Sequence, residues 1–295
     1  MKQKTEVTRR GLMAAAGAIS LPLLGWAKRT SRLKFGFTSY QWGKQWDIAA
    51  LIKVCTEIQA TGLELRVEMQ SAHGVELALD AAQRRAVKRQ FSGSPVRLLG
   101  LATGERFDYV DPAKNRASIE KAKQYLQLCH DIGGLGIRVF PNDFHKEVPR
   151  EQTIDQIAGG VREVARTAKG LGLKVRLENH GSAGELVSLA QVLKQVPDKN
   201  VVVKLNCDAR DAAGGEFEEH FNLVKDRLGD TMHMKDLHAQ DFPFQLQTDL
   251  LIDAGWSGWC MPELERPPAM EARVEGLKEQ RRIWAQLIEN SLKRT

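Results

Sequence analysis

The sequence predicts a single α/β domain folded as a closed (β/α)₈ barrel, the TIM-barrel architecture. The chain has 295 residues, which suits one barrel of this kind. Short apolar runs alternate eight times with amphipathic segments, a pattern typical of parallel strands joined by crossover helices. An open doubly wound sheet is the alternative. Against it, the first strand runs into "GFTSYQWG" (36–43), which lacks the G-x-G-x-x-G of a dinucleotide site.

The eight predicted strands are short and apolar, and they recur along the whole chain. Their ranges, in order, are 33–39, 62–67, 96–102, 136–140, 173–179, 201–206, 231–236 and 259–264. Helical periodicity fills the gaps: residues 47–60 place Ile48 and Leu51 on one apolar face. Residues 115–133 and 153–172 show the same periodicity, and each ends near a glycine, a common helix stop.

The N-terminal segment, residues 1–27, is predicted to be an export signal and not part of the fold. It has a basic start, an apolar run and a small-x-small site at its end. The pair Arg9-Arg10 follows Thr8 just before the apolar run and resembles a twin-arginine signal. We therefore expect the twin-arginine machinery to export a folded protein to the periplasm. An uncleaved N-terminal membrane anchor is the alternative. Residues 28–295 are predicted to form the barrel.

The charge balance of the mature chain argues against a nucleic-acid partner. Residues 1–27 hold four basic residues and one acid, so their removal lowers the formal net charge from +6 to +3. No basic run longer than two residues remains in residues 28–295. The four cysteines form no C-x-x-C pair, and Cys55 and Cys129 fall within helical patterns. We expect these two cysteines to be small buried apolar residues.

Polar side chains lie at the ends of the last four predicted strands. Burying ionisable groups together is unfavourable unless they pair with one another or coordinate a cation. Carboxylates with one imidazole and amide oxygens suit a divalent ion, so we predict a metal site at the carboxyl ends of the strands. Taken singly, His233 could be a structural histidine, and Lys235 with Asp236 an exposed pair. The strand-end residues are Glu178, Asn179 and His180, then Asn206 and Asp208, then His233, Lys235 and Asp236, then Glu263 and Glu265.

The segments "LELR", "HGVE", "LENHG", "HMKDL" and "GWSGWCMPELE" together resemble the sugar phosphate isomerase/epimerase family, a xylose isomerase-like barrel group. The resemblance covers nearly the whole mature chain. It implies one divalent ion (Mn, Mg, Co or Zn) bound by four side chains. Matched to this sequence, these ligands are Glu178, Asn206, His233 and Glu263, with Glu265 as the alternative to Glu263. The family has an aspartate at the place of Asn206, and Asp208 is the alternative carboxylate there.

The resemblance also implies proton transfer at a carbon next to a sugar carbonyl, with Glu178 and Glu263 on opposite faces of the substrate. His180 and Lys235 would bind hydroxyls or polarise the carbonyl, and His73 would contact the substrate from the loop after the second strand. Arg138 would bind an anionic group or form a strand-end salt bridge.

An exported enzyme is expected to act on a free sugar, a keto-sugar or a glycoside, because phosphorylated sugars are mainly cytoplasmic. Two alternatives use the same barrel: a keto-glycoside lyase or dehydratase, and a non-catalytic carbohydrate-binding protein. A nuclease would need about three zinc ions and more histidines than the seven in this chain.

Overall fold

The computed structural model describes residues 30–294, and the predicted signal peptide (1–27) lies outside this range. Eight parallel strands alternate with eight main helices, so all eight predicted strands and the barrel prediction are confirmed. The strands are β1 Lys34–Thr38, β2 Gly62–Arg66, β3 Arg97–Arg106, β4 Gly136–Phe140, β5 Lys174–Glu178, β6 Val201–Lys204, β7 Thr231–Met234 and β8 Trp259–Pro262. The helices are α1 Ile48–Glu57, α2 Ala81–Ser92, α3 Pro112–Asp131, α4 Arg150–Gly170, α5 Leu186–Gln195, α6 Phe217–Val224, α7 Phe244–Asp253 and α8 Arg273–Lys293.

The sheet runs in the order β6-β5-β4-β3-β2-β1-β8-β7, and neighbouring strands in this order are parallel. Two backbone hydrogen bonds link its outer strands: Gly229 N–H donates to Val203 O at 2.7 Å, and His233 N–H donates to Leu205 O at 2.8 Å. The sheet therefore curls into a nearly closed barrel. An open doubly wound sheet would leave these strands far apart.

Aspartates are the N-cap residues of the first three helices. Asp47 accepts a hydrogen bond from Ala50 N–H at 2.8 Å, and Asp111 accepts one from Ala113 N–H at 2.8 Å. Asp80 and Gln83 form a complete capping box at the start of α2. These caps satisfy amide groups that a helix start leaves without partners. They explain why the helices start close to the positions that periodicity predicts.

A small apolar cluster closes the interior at the amino-terminal end of the strands. Leu99, Trp259 and Met261 pack together there, separate from the main core between strands and helices. Gly62 is required beside them, because a Cβ at this position would lie 2.7 Å from Leu99 Cδ1 and 2.8 Å from Trp259 Nε1. The cluster therefore fills part of the barrel interior away from the carboxyl ends of the strands.

The predicted burial of Cys55 and Cys129 is confirmed, since both are fully buried. All four cysteines of the chain are free thiols. Within residues 30–294, no helix is long and apolar enough to cross a membrane.

Candidate active site

A cavity of about 840 Å³ opens at the carboxyl ends of the strands. This is the end of the barrel where the sequence predicts the site, and where barrels of this type carry their active sites. Most of the predicted site residues line it: Arg138, Glu178, His180, Asn206, Asp208, Lys235, Glu263 and Glu265. The walls also carry Tyr40, Trp42 and Phe140, aromatic faces suited to the apolar side of a sugar ring.

Three predicted metal ligands converge at the bottom of this cavity. Glu178, His233 and Glu263 each offer one ligand atom, and these atoms lie within 4.8 Å of one another. Nδ1 of His233 lies 3.3 Å from Glu178 Oε1 and 3.2 Å from Glu263 Oε2. Among residues 30–294 this is the one group of three or more potential ligands of the His, Cys, Asp and Glu types.

A buried ion pair holds His233 in place from below. Nε2 of His233 donates to Glu64 Oε1 at 2.7 Å, and Lys204 Nζ donates to both Glu64 oxygens at 2.7 and 2.8 Å. All three side chains are fully buried. Because Glu64 accepts the hydrogen bond from Nε2–H, Nδ1 is left to face the two carboxylates. A carboxylate behind a ligating histidine is the usual arrangement in metal sites.

The carboxylates around His233 favour positive charge at this position, whether on the imidazole or on a bound metal ion. Burial by itself lowers the pKa of His233, but Glu263, Glu178 and Glu64 outweigh it and raise this pKa to about 10. Burial raises the pKa of Glu178, yet Arg138 and His233 hold it well below its ordinary value. The pKa of Glu263 is also lowered, because the attraction of His233 outweighs burial. Both carboxylates are therefore ionised at neutral pH and able to bind a metal or take a proton.

The residues present fit a divalent ion as three protein ligands. Oε2 of Glu178 is buried without a hydrogen-bond partner among residues 30–294, so it has an unused acceptor inside the site. Arg138 Nε lies 3.3 Å away and supplies charge, but it makes no aligned hydrogen bond. Two carboxylates, one imidazole and open positions match a catalytic metal site more closely than a closed structural one.

The fourth predicted ligand, Asn206, is beside this group but turned toward other partners. Its amide nitrogen donates to Glu178 Oε1 at 2.9 Å, and its carbonyl oxygen accepts from Cys207 N–H at 2.8 Å. Asp208, the alternative, points away: it accepts hydrogen bonds from the backbone and side chain of Arg210 and begins the short helix at 209–215. The structure thus places Asn206 in contact with Glu178, a predicted metal ligand, and leaves Asp208 on the cavity wall.

The predicted substrate residues divide into two groups. His180 packs against Phe140 with ring centroids 4.4 Å apart and the ring planes tilted by 42°, and Lys235 is an exposed cation of the cavity wall. His73, in contrast, is buried outside the cavity lining. One ring nitrogen of His73 donates to Arg66 O at 3.1 Å and the other accepts from Val75 N–H at 3.1 Å. With both nitrogens bound to backbone, His73 holds the loop after β2 and has no donor left for a substrate.

Glu64, Lys204 and Arg66 were assigned no role in the site from the sequence. Glu64 forms a salt bridge with Lys204 and also contacts His233. The available signal was an ionisable residue inside an apolar strand, as in "VVVK" and "LELR". Such residues point inward at alternate positions and require a partner across the barrel.

Solved structures with the same fold are sugar epimerases and related proteins. A D-psicose 3-epimerase from Clostridium cellulolyticum H10 has a TM-score of 0.70 and 16% identity, with 88% of this chain and all of that chain covered. The E. coli 3-keto-D-glucoside 4-epimerase YcjR has a TM-score of 0.67 and 14% identity, covering 86% of this chain and all of that one. The IOLI protein, solved with a zinc atom, has a TM-score of 0.73 and 15% identity over 88% of this chain and all of that one.

No curated protein is similar to the chain in sequence at a significant level. The profile of one protein family, however, matches residues 52–287, most of the barrel. The chain belongs to the xylose isomerase-like TIM barrel family.

Proposed function

We propose that this protein is a metal-dependent isomerase or epimerase that moves a proton next to the carbonyl of a non-phosphorylated sugar or keto-sugar. The observation that carries the proposal is the convergence of Glu178, His233 and Glu263, with Nδ1 of His233 between two carboxylates. A divalent ion bound there (Mn, Mg, Co or Zn) would polarise the carbonyl and stabilise the negative charge that develops on the substrate.

Glu178 and Glu263 are the proton-transfer groups in this proposal. They flank His233, and both are kept ionised, so each is able to accept a proton from carbon. Their surroundings differ: the Glu178 side chain is 1% exposed and that of Glu263 is 18% exposed. A proton removed by one and returned by the other to the opposite face of the same carbon gives an epimer. Its return to the neighbouring carbon, with a proton moved between the two oxygens, gives an isomer.

The cavity wall would orient the sugar above these carboxylates. His180, held against Phe140, and Lys235 are placed to donate hydrogen bonds to hydroxyl or carbonyl oxygens. The D-psicose and 3-keto-D-glucoside epimerases that share the fold are named for sugars without phosphate, which supports the same substrate class here. We also propose that the protein is exported by the twin-arginine machinery. Replacing Arg9 and Arg10 by lysine should then retain it in the cytoplasm, as measured by cell fractionation.

Elimination remains a second candidate, because the cavity is large. Its volume of about 840 Å³ lies in the upper part of the usual range for small-molecule sites, about 300–1,000 Å³. A keto-glycoside with its second group would therefore fit. The same proton abstraction followed by loss of a β-substituent would make this protein a lyase.

The decisive experiment combines metal analysis with proton exchange. Purified protein is expected to hold about one divalent ion per chain and to exchange the proton next to the carbonyl of a keto-sugar in D₂O, followed by NMR. Glu178→Gln and Glu263→Gln should each stop exchange, while Asp241→Asn on the cavity wall serves as the matched control. Release of a free second group would identify the lyase. Protein that takes up no metal even after loading, or exchange that survives both substitutions, would refute the proposal and favour a carbohydrate-binding barrel.

A further inference from the structure

Two arginines lie side by side in the cavity wall, and the proposed proton transfer does not use them. Arg66 ends β2 and Arg138 lies in β4, and both line the cavity. The intervening strand β3 aligns the two arginines, because Ala102 of β3 pairs with Arg66 on one side and with Arg138 on the other. Neighbouring strands are about 4.8 Å apart, so the two arginine backbones are separated by about 10 Å, with only a methyl group between them.

The Arg138 side chain is buried and poorly satisfied. The residue is 1% exposed, and its Nε has no hydrogen-bond partner among residues 30–294. Its closest charged contact is Glu178 Oε2, at 3.3 Å from Nε. The guanidinium lies over the Phe140 ring, 3.8 Å from its centroid, which fixes the plane of the group. A buried guanidinium with unused donors at a cavity is what an anion would satisfy.

Arg66 is held in a fixed position beside it. Its Nη1 donates to Val67 O at 2.7 Å and to Ala102 O at 2.9 Å, which leaves its other nitrogens for a ligand. Burial and the nearby Arg138 both lower the pKa of Arg66, and the carboxylates of Glu68, Glu263 and Glu178 raise it in part. The two cations are therefore close enough to repel each other, and an anion between them would offset the repulsion that these carboxylates leave.

We propose that Arg66 and Arg138 form a carboxylate subsite, and that the substrate is a sugar acid whose carboxylate lies within a few bonds of the reacting carbonyl. This inference rests on the proposed function, because Arg138 is in contact with Glu178 and so places the anion close to the carbon that loses its proton. A carboxylate is planar and matches the fork of a guanidinium. A phosphate at the far end of a sugar would lie several bonds too distant.

Binding is the test, measured by calorimetry on the metal-loaded protein with 2-keto-D-gluconate, whose carboxylate adjoins the carbonyl, and with D-fructose, D-fructose 6-phosphate and inorganic phosphate. 2-Keto-D-gluconate should bind at least about tenfold more tightly than D-fructose, as charge-assisted hydrogen bonds imply. Arg66→Met and Arg138→Met should abolish this preference. Arg138→Lys should lose most of it, because lysine keeps the charge but not the fork. Arg266→Met, an exposed arginine of the cavity wall, is the control.

The outcomes separate this inference from the proposed function. Equal affinity for 2-keto-D-gluconate and D-fructose, tighter binding of the two phosphates, or an equal loss in Arg266→Met would overturn the carboxylate subsite. If Arg138→Met does not fold, Arg66→Met and Arg138→Lys carry the test. Carboxylate preference without any proton exchange in D₂O would uphold the subsite and refute the catalytic proposal. Exchange on neutral keto-sugars without carboxylate preference would do the reverse.

Discussion

Replacing Glu64 by glutamine tests whether the buried pair beneath His233 prepares the metal site. Glutamine keeps the shape of the side chain but removes the charge that accepts the His233 Nε2 proton at 2.7 Å. Loss of a carboxylate behind a ligating histidine typically lowers metal affinity about 10- to 100-fold. We expect a loss of this size for Glu64→Gln, with the ligating side chains themselves unchanged.

The single substitution also leaves Lys204 buried and unpaired, since both Glu64 oxygens are its partners. Breaking a buried ion pair in this way costs about 3–5 kcal/mol, a large part of a typical folding free energy of about 5–15 kcal/mol. The double variant Glu64→Gln with Lys204→Met removes the stranded charge. It should regain most of the stability and retain the loss of metal affinity.

Calorimetric titration of chelator-treated protein with Mn²⁺ and Zn²⁺ measures the affinity, and chemical denaturation measures the stability. Asp230→Asn is the matched control, because it breaks another ion pair of the barrel interior, with Arg176 at 2.9 Å. It should destabilise the fold and leave metal affinity unchanged. If the double variant binds metal within twofold of the wild type, Glu64 has no role in positioning His233 and the reasoning is wrong.

Three further predictions concern residues around the site. Asn206→Asp, which adds a carboxylate beside Glu178, should raise divalent-metal affinity about tenfold or more, whereas Asp208→Asn should leave it unchanged; calorimetry compares the two. His73→Ala should lower the free energy of unfolding by about 1–3 kcal/mol, because two backbone partners lose their hydrogen bonds. Metal and ligand affinity should stay within twofold, and a larger change would restore His73 to the site. Burial and Glu68 raise the pKa of Glu105 to about 7, above its ordinary 4.5. The folded state therefore holds this proton more tightly, and wild type loses stability as pH rises from about 4.5 through 7. Glu105→Gln should be more stable than wild type by about 1–2 kcal/mol at pH 8 and show no advantage at pH 4.5 in denaturation curves.

The strands and the position of the site could be predicted because both depend on local patterns. Each apolar run is short and ends in polar residues, so the carboxyl ends of the strands mark a polar group that includes Glu178, His233 and Glu263. The family resemblance then singles these three out as ligands. The N-cap aspartates mark helix starts in the same local way.

The contacts that organise the site are not local, and the sequence could not predict them. Lys204 and Glu64 are 140 positions apart, and His233 and Glu64 are 169 apart. His73 is a case in which the contacts are local but the sequence did not indicate them. A histidine in a polar loop was expected to contact the substrate, whereas its ring forms hydrogen bonds to the backbone of that same loop. Which partner a polar side chain chooses depends on three-dimensional packing, which residue spacing does not encode.

An anionic substrate would explain two features of the site together. One is Asn206, which stands where the family has an aspartate, and the other is the pair of arginines, Arg66 and Arg138. An aspartate at position 206 would add a third carboxylate beside Glu178 and His233, and a bound divalent ion would then meet more negative charge. With Asn206, the site is more positive by one charge, and its amide donates to Glu178 instead of competing with it. Arg138 shifts the balance in the same direction, because its guanidinium lies 3.3 Å from Glu178 and has donors left for a ligand. A substrate carboxylate would supply one negative charge, the amount that the exchange of aspartate for asparagine removes. On this reasoning, Asn206→Asp should weaken the binding of sugar acids even as it strengthens the binding of metal. A variant in which both affinities rise together would show that the two features are unrelated.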